Sequence, residues 1–301
     1  MAVRIATYNS GGLSADRRLF LNSIANSCDI ILLQEHWLHT GCINDELNKL
    51  HDDYVGLGCS GMTSGQLQGP GRPYGGSAIL YRSSMSHQIT RHSCTIKNAC
   101  SLKLNDTLVI NTYLPGDNYS QTVIKDEYSD TLNNIEGMIL NTQHVSLIIG
   151  GDFNTDLERD NAHSRYLKSF AQRHNLYFVK LHGLASYETT YAQYLNDGRV
   201  RQSCIDHILV SEDIFECITE IGVVESVDNP SYHKPLRIVY PYDINHVLSE
   251  PAVKAEVRPK IAWHRVTDEH RRNYQNIVTK HLECSRMPLS LFCNDPMCQN
   301  Q

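Results

Sequence analysis

The sequence of 301 residues lacks any run that approaches the ~20 consecutive apolar residues needed to span a bilayer. It also lacks internal repeats and low-complexity segments, which excludes fibrous and solenoid classes. The opening Met1-Ala2-Val3-Arg4-Ile5 has no signal-peptide pattern and runs straight into a strand-like alternation. The expectation is therefore an intracellular protein with no membrane partner. Ten cysteines are present but form no tight framework, so reduced thiols are expected rather than disulfides. An excess of basic residues is missing too. With 27 Lys and Arg against 33 Asp and Glu, the net charge of −6 excludes the footprint of a nonspecific nucleic-acid coat. It does not exclude an enzyme acting on phosphate esters, because a carboxylate-rich pocket is itself acidic and a bound cation supplies the positive charge. Phosphate affinity would then rest on local groups such as Arg72, Arg82, Arg199 and Arg201.

What is present is a succession of short apolar runs broken by turn residues and a few helical stretches. Strands are expected at Val3–Tyr8, Ile30–Gln34, Ser77–Tyr81, Cys100–Leu104, Thr107–Tyr113 and Val145–Ile149. More follow near Tyr177–Val179, Thr189–Tyr194, Cys204–Val210, Ile218–Val224 and Leu236–Tyr240. Arg17–Ser27, Asn118–Leu140 and Ser164–His174 carry helical periodicity, while Gly58–Gly76 is rich in Gly, Ser, Gln and Pro and reads as a loop. Asn105-Asp106 is a hairpin turn between two strands, and Gly150-Gly151-Asp152 is expected to break out of its strand. Many strands with helices between them imply a layered α/β architecture, two sheets face to face with helices outside. After Pro241 the strand pattern stops. The division is residues 1–241 as the principal domain and 242–301 as a linker, a charged helix over Thr267–Glu283 and a Cys/Pro/Asn-rich end.

Six segments place polar groups where strands end or begin: Tyr8-Asn9-Ser10-Gly11, Gln34-Glu35, Asn111-Thr112-Tyr113, Gly150-Gly151-Asp152-Phe153-Asn154, Cys204-Ile205-Asp206-His207 and Ser231-Tyr232-His233. Phosphodiester hydrolysis needs a hard cation, and a carboxylate such as Glu35 is its proper ligand. It needs an oriented, deprotonated water, a task for Asp152. It needs donors to the charged phosphorus centre, for which Asn154, Tyr113 or a protonated His233 would serve. It also needs a partner that fixes the histidine tautomer, for which Asp206 is suited. Each residue has an ordinary reading beside this one. Asp152 could cap a turn, Asn9 could form one, Glu35 could be a solvated charge and Tyr113 a half-buried strand aromatic. Asp206 and His233 could be a purely structural pair. Arg72 and Tyr74, in a glycine-rich loop, could contact substrate or serve solubility.

Taken together and in this order, the segments resemble the endonuclease/exonuclease/phosphatase superfamily over Met1–Tyr240. That resemblance implies a four-layered α/β sandwich of two packed mixed β-sheets flanked by helices, and a Mg²⁺ (or Mn²⁺) cofactor. It further implies that Asn9 holds the catalytic aspartate and the phosphate, Glu35 binds the metal and Tyr113 hydrogen-bonds the phosphate. Asp152 would align the attacking water with Asn154 beside it, and Asp206 would pair with His233 at the scissile phosphate. Within the superfamily, Gly71–Leu80, Gly150–Asp156 and the tail around Ile261-Ala262-Trp263-His264 are similar to the endonuclease of non-LTR (LINE-type) retrotransposon proteins. The expected substrate is DNA, nicked on one strand in the nucleus to prime reverse transcription. Arg72 and Tyr74 would touch that DNA, a reverse transcriptase would be encoded downstream, and no obligate protein partner is implied. Two positions depart from the pattern: Gly11 and Tyr232 stand where the family commonly has carboxylates. They leave open a catalytically weakened remnant, beside the alternatives of a lipid or inositol phosphatase and an RNA deadenylase.

Overall fold

Alternation along the first strand sets the layering: Val3, Ile5, Thr7 and Asn9 point to one side, Ala6 and Tyr8 to the other. The computed structural model describes residues 2–39, 41–62, 73–92, 98–116, 121–242 (121–126 as backbone), 267, 272–273 and 275–276. In chain order the elements are β1 (Ala2–Asn9), α1 (Ala15–Ala25), β2 (Ile30–Gln34), α2 (Ile43–Asn48), β3 (Tyr54–Cys59), β4 (Ser77–Arg82) and β5 (Ile89–Arg91). There follow β6 (Ala99–Leu104), β7 (Thr107–Tyr113), α3 (Gln121–Asn141), β8 (Ser146–Asp152), α4 (Ala162–Arg173) and β9 (Leu176–Phe178). The last are β10 (Tyr191–Tyr194), β11 (Val200–Ser203), β12 (Asp206–Ser211), α5 (Glu212–Cys217), β13 (Glu220–Val223) and β14 (Leu236–Pro241).

Among the described residues the strands form two six-stranded sheets, ordered β13-β14-β1-β2-β4-β3 and β5-β6-β7-β8-β12-β9, plus a β10–β11 hairpin. Both sheets are mixed: β1–β2 and β7–β8 are parallel, and the other pairs are antiparallel. Three apolar layers hold the stack together. Ile5, Leu32, Ile79, Val109, Ile148, Ile208 and Ile238 meet between the sheets. Phe20, Leu21 and Ile24 of α1 with Leu47 of α2 cover the outer face of the first sheet. Tyr128, Ile135, Leu167 and Phe170 from α3 and α4 cover the second. The result is the expected four-layered sandwich. Helix α4 is started by a reciprocal cap: Asn161 Oδ1 accepts from the Ser164 amide (2.9 Å), and Ser164 Oγ accepts from the Asn161 amide (3.2 Å).

Several boundaries differ from the sequence reading. Gly150-Gly151-Asp152 does not break the strand; β8 continues through Asp152, paired residue by residue with β7 and β12. The glycines allow close approach instead. A Cβ on Gly151 would lie 1.9 Å from the Thr112 carbonyl oxygen. Gly58 and Cys59 belong to β3 rather than to a loop. Val179 opens a 3-10 turn instead of closing a strand, and strands expected to begin at Thr189 and Cys204 begin at Tyr191 and Asp206. Cys28, Cys42, Cys204 and Cys217 carry no disulfide. Among the described residues, no helix is long and apolar enough to cross a membrane.

The chain divides into two units, Met1–Leu248 and Ser249–Gln301. In the second, helical backbone is described at 272–273 and 275–276. The tail motif at Ile261–His264, the rest of the Thr267–Glu283 helix and the terminal cysteines lie outside the described residues, as does Arg72.

Candidate active site

The apolar layer between the sheets gives way to polar groups toward one end. Thr7, Gln34 and Asn111 are fully buried there, with Gln34 Nε2 donating to Thr7 Oγ1 (3.0 Å) and to Asn111 Oδ1 (2.6 Å). Asn111 Nδ2 in turn donates to the Leu33 and Ala78 carbonyls of the opposite sheet. This buried network ties β7 to β2 and β4 and forms the floor of the site.

Above it, register brings the candidate residues together. Tyr113, Asp152 and Asp206 end or begin three adjacent strands at one level: Asp152 pairs with Tyr113 on one side and with Asp206 on the other. All three occupy the strand positions that face the other sheet, because Val109, Ile148 and Ile208, an even number of residues away, lie in the inter-sheet core. From the first sheet Asn9 reaches across. Its Nδ2 donates to Asp152 Oδ2 (2.8 Å) and to Glu35 Oε1 (3.0 Å), bridging the two carboxylates. Asn9 Oδ1 accepts from the Gly11 amide, which fixes the orientation of the amide group. Asn154 stands at φ 48° with its backbone N–H on Asp152 Oδ1 (2.9 Å) and its Nδ2 on the Leu114 carbonyl (2.8 Å). His233 Nδ1 lies 3.0 Å from both Asp206 oxygens, and His233 Nε2 lies 3.8 Å from Asp152 Oδ2.

Glu35 is presented by an unusual segment. Glu35 and Trp37 both have φ 54°, left-handed conformations that are rare for such residues. They are held by Glu35 N–H on the Gly76 carbonyl (2.8 Å), Trp37 N–H on the Gly75 carbonyl (3.1 Å) and Gly12 N–H on the Glu35 carbonyl (2.7 Å). Between them His36 is buried, with Nε2 3.0 Å from the Cys59 carbonyl and Nδ1 accepting from the Leu38 amide. Burial lowers its pKa to about 4, so the imidazole is neutral and donates from Nε2. Gly76, at φ 95°, leaves room for that ring; a Cβ there would lie 2.5 Å from His36 Cε1. The Trp37 indole N–H donates to Glu35 Oε2 (3.1 Å), so both Glu35 oxygens are oriented.

The electrostatics follow from burial. Desolvation raises Asp152 from the usual carboxylate range to about 7; Asp206 adds to the rise, while His233 and the Asn9 hydrogen bond oppose it. Burial alone would lower His233, but Asp206, Asp152 and Glu35 outweigh it and raise the imidazole to about 9. The Tyr113 hydroxyl is pushed well up by burial and by Glu35 and Asp152, so it remains a neutral donor.

Asp152, Asp206 and His233 lie close enough to suggest a metal-binding trio. The hydrogen bonding argues otherwise. His233 is held at Nδ1 by both Asp206 oxygens (3.0 Å), so the hydrogen bonding commits Asp206 and one ring nitrogen to each other. Glu35 is the better ligand: an oriented, hard carboxylate donor beside Asp152, of the kind Mg²⁺ takes while keeping several waters. The residues present therefore fit a divalent cation on the Glu35 side.

The structure brings together Asn9, Glu35, Tyr113, Asp152, Asn154, Asp206 and His233. It does not gather Tyr74, which is half-exposed; among the described residues no hydrogen bond links it to the cluster. Several supporting residues were not singled out from the sequence. Ser231 Oγ donates to the Asn9 carbonyl (2.7 Å), and Asn229 accepts from the Tyr8 hydroxyl (2.9 Å) and donates to the His233 carbonyl (2.7 Å). Arg17 places its guanidinium over the Trp37 ring and near Gly11, with a buried Nε that has no hydrogen-bond partner among the described residues. Only the polarity of the Ser231–His233 segment signalled any of this.

The chain belongs to the Endonuclease/Exonuclease/phosphatase family, whose profile matches residues 6–233. Members of the family are hydrolytic nucleases and phosphatases. Among solved structures it is similar to an AP endonuclease from Archaeoglobus fulgidus, at 16% identity and TM-score 0.63 over 80% of this chain and 100% of that one. It is similar to a 3′ phosphatase from Neisseria bound to a product DNA hairpin, at 17% identity and TM-score 0.62, with the same coverage. It also resembles the endonuclease domain of TRAS1, a telomere-specific non-LTR retrotransposon, at 15% identity and TM-score 0.57 over 80% of this chain and 99% of that domain. At these identities the likeness establishes the fold. No curated protein sequence matches the chain.

Proposed function

We propose that the chain is a divalent-metal-dependent phosphodiesterase that cuts DNA, nicking one strand as the endonuclease of a retrotransposon-type protein does. The observation that carries the reading is the Asn9 amide bridging Glu35 and Asp152, opposite a His233 clamped by Asp206. A bound Mg²⁺ or Mn²⁺, held by Glu35, would neutralise phosphoryl charge. Asp152, with its pKa raised toward neutrality, takes the proton of the attacking water as the water oxygen bonds to phosphorus. The imidazolium of His233 donates from Nε2 to a phosphoryl oxygen, while Asp206 holds Nδ1–H. Asn154 and the neutral Tyr113 hydroxyl add donors as the bond to the leaving oxygen breaks.

DNA is favoured over a lipid, inositol phosphate or poly(A) because one of the similar structures holds a product DNA hairpin and two others are named as endonucleases, one of them from a telomere-specific non-LTR retrotransposon. The retrotransposon-like motifs at Gly150–Asp156 and Ile261–His264 support the finer assignment, with the nucleus as site of action and a reverse transcriptase as associated activity. A supercoiled plasmid incubated with the full chain and Mg²⁺ is expected to relax to the nicked form, carrying a 3′-hydroxyl at the break. Faster turnover of phosphoinositides, sphingomyelin or poly(A) than of plasmid would overturn the substrate assignment.

Tyr232 supports a second reading, a weak metalloenzyme. Its side chain is 55% exposed and supplies no carboxylate, so Glu35 carries the ion with less help.

A further inference from the structure

Tyr232 sits between two residues committed to the site, yet its own side chain turns to solvent. Ser231 donates to the Asn9 carbonyl and His233 pairs with Asp206, whereas the Tyr232 hydroxyl has no hydrogen-bond partner among the described residues. Its backbone is nonetheless pinned: the Tyr232 carbonyl accepts from the Ala192 amide (2.8 Å), and His233 bridges Tyr191. The rings form one continuous wall. Tyr191 packs edge-on against the His233 imidazole (5.0 Å between centroids, 69°) and against Tyr232 (6.2 Å, 64°). A hydrogen bond from its hydroxyl to Gln193 Oε1 (2.8 Å) fixes the Tyr191 ring.

A cation lies on the same side. In the β10–β11 hairpin Tyr191 and Gln193 share a face, and Arg201 is the cross-strand partner of Gln193, so Arg201 stands diagonally from Tyr191 on that face. Arg199 is neutralised by Asp197 (2.6 Å), but Arg201 is exposed and makes no ion pair among the described residues. Burial raises the Tyr191 phenol and the Arg201 charge opposes the rise.

We infer that Tyr232, backed by Tyr191, is a stacking subsite for one unpaired nucleobase next to the scissile phosphodiester, with Arg201 on a neighbouring phosphate. The inference rests on the nucleic-acid reading above. Aromatic rings accept any base because every base has a π-face. A base within an intact duplex has both faces covered, so the subsite selects a frayed, flipped or single-stranded nucleotide. Tyr232 is thus a positioning and specificity residue where the superfamily pattern has a carboxylate.

The test uses the full chain and a single-stranded hexanucleotide whose one phosphodiester is flanked by methylphosphonates, with 2-aminopurine beside the scissile bond. With Ca²⁺ in the buffer, binding to the wild type and to Tyr232→Phe should quench the fluorescence. Tyr232→Leu should bind roughly 5- to 150-fold more weakly, the worth of one base–aromatic stack, without quenching. Replacing the 2-aminopurine nucleotide by a base-free tetrahydrofuran spacer should weaken the wild type by the same factor, and the two losses should not add. Against the same hexanucleotide made with phosphodiesters throughout, Arg201→Ala should lower the slope of log affinity against log salt by about 0.7, as expected for one phosphate contact on a single strand. Equal affinity and equal fluorescence for wild type and Tyr232→Leu would eliminate the stacking subsite and leave the phosphodiesterase reading standing. A wild type that neither binds the hexanucleotide nor cuts it with Mg²⁺ would overturn the nucleic-acid reading and the subsite together.

Discussion

Replacing Asp206 by asparagine keeps the side-chain shape and removes one buried charge 3.0 Å from the His233 ring. His233 is raised from 6.5 to about 9 against its own burial, chiefly by Asp206. That interval corresponds to about 3 kcal/mol in favour of the imidazolium. Without Asp206, only Asp152 and Glu35 oppose burial, and the imidazole should fall back toward its ordinary value. At pH 7.5 the protonated fraction should then fall from roughly 97% toward roughly 10%. Hydrolysis at that pH should drop by up to ~10-fold, in proportion to the lost acid form. The alkaline limb of the pH–rate profile should move from near pH 9 toward pH 6.5, and part of the activity should return at pH 5.5–6. Stability carries the same sign. A raised folded-state pKa stabilises fully below pH 6.5 and is lost as the pH rises through about 9, so the wild type should weaken over that window and Asp206→Asn should not. The assay is NMR titration of the His233 imidazole, assigned by its absence in His233→Gln, alongside the pH–rate profile. An imidazole that titrates near 9 in both proteins would refute the reasoning.

Three further outcomes are expected. Glu35→Gln keeps the side-chain shape but only one acceptor for the Asn9 and Trp37 donors, and it loses the hard donor charge, so the Mg²⁺ concentration for half-maximal activity should rise at least ~10-fold; calorimetric Mg²⁺ titration gives an independent reading. Tyr232→Asp should tighten Mg²⁺ binding several-fold (about 1 kcal/mol for one added, partly screened carboxylate) while raising KM for oligonucleotides, and unchanged Mg²⁺ affinity would count against the carboxylate-poor account of this site. Gly76→Ala places a methyl against His36 at φ 95° and should cost ~1–3 kcal/mol, seen as a Tm lower by roughly 3–10 °C together with loss of activity; an unshifted melting curve would remove the Gly76–His36 contact from the account.

The sandwich was legible because its central strands alternate or run apolar over several residues, as in Val3–Tyr8, Ile30–Leu33 and Leu147–Ile149. β3 was not, since Gly56 and Gly58 interrupt its pattern, and α2, α5, β5 and β11 are too short to show a period. The strand through Asp152 was misread because paired glycines mark turns in local statistics, whereas here they admit close neighbours on both sides. The polar residues of the site could be selected one by one, but not their register. Nothing local says that Tyr113, Asp152 and Asp206 stand side by side, because that depends on strands up to a hundred residues apart. The Glu35–Trp37 conformation was equally invisible, being imposed by Gly12, Gly75 and Gly76 from elsewhere in the chain.

In the proposed reaction Asp152 activates the water that attacks a phosphodiester. That role is tested most directly by single-turnover cleavage of a DNA strand with saturating Mg²⁺, comparing the wild type with Asp152→Asn, which retains the shape of the side chain and one acceptor for Asn9. Cleavage should fall at least ~100-fold with DNA binding retained. Cleavage by Asp152→Asn within a few-fold of the wild-type rate would contradict that role.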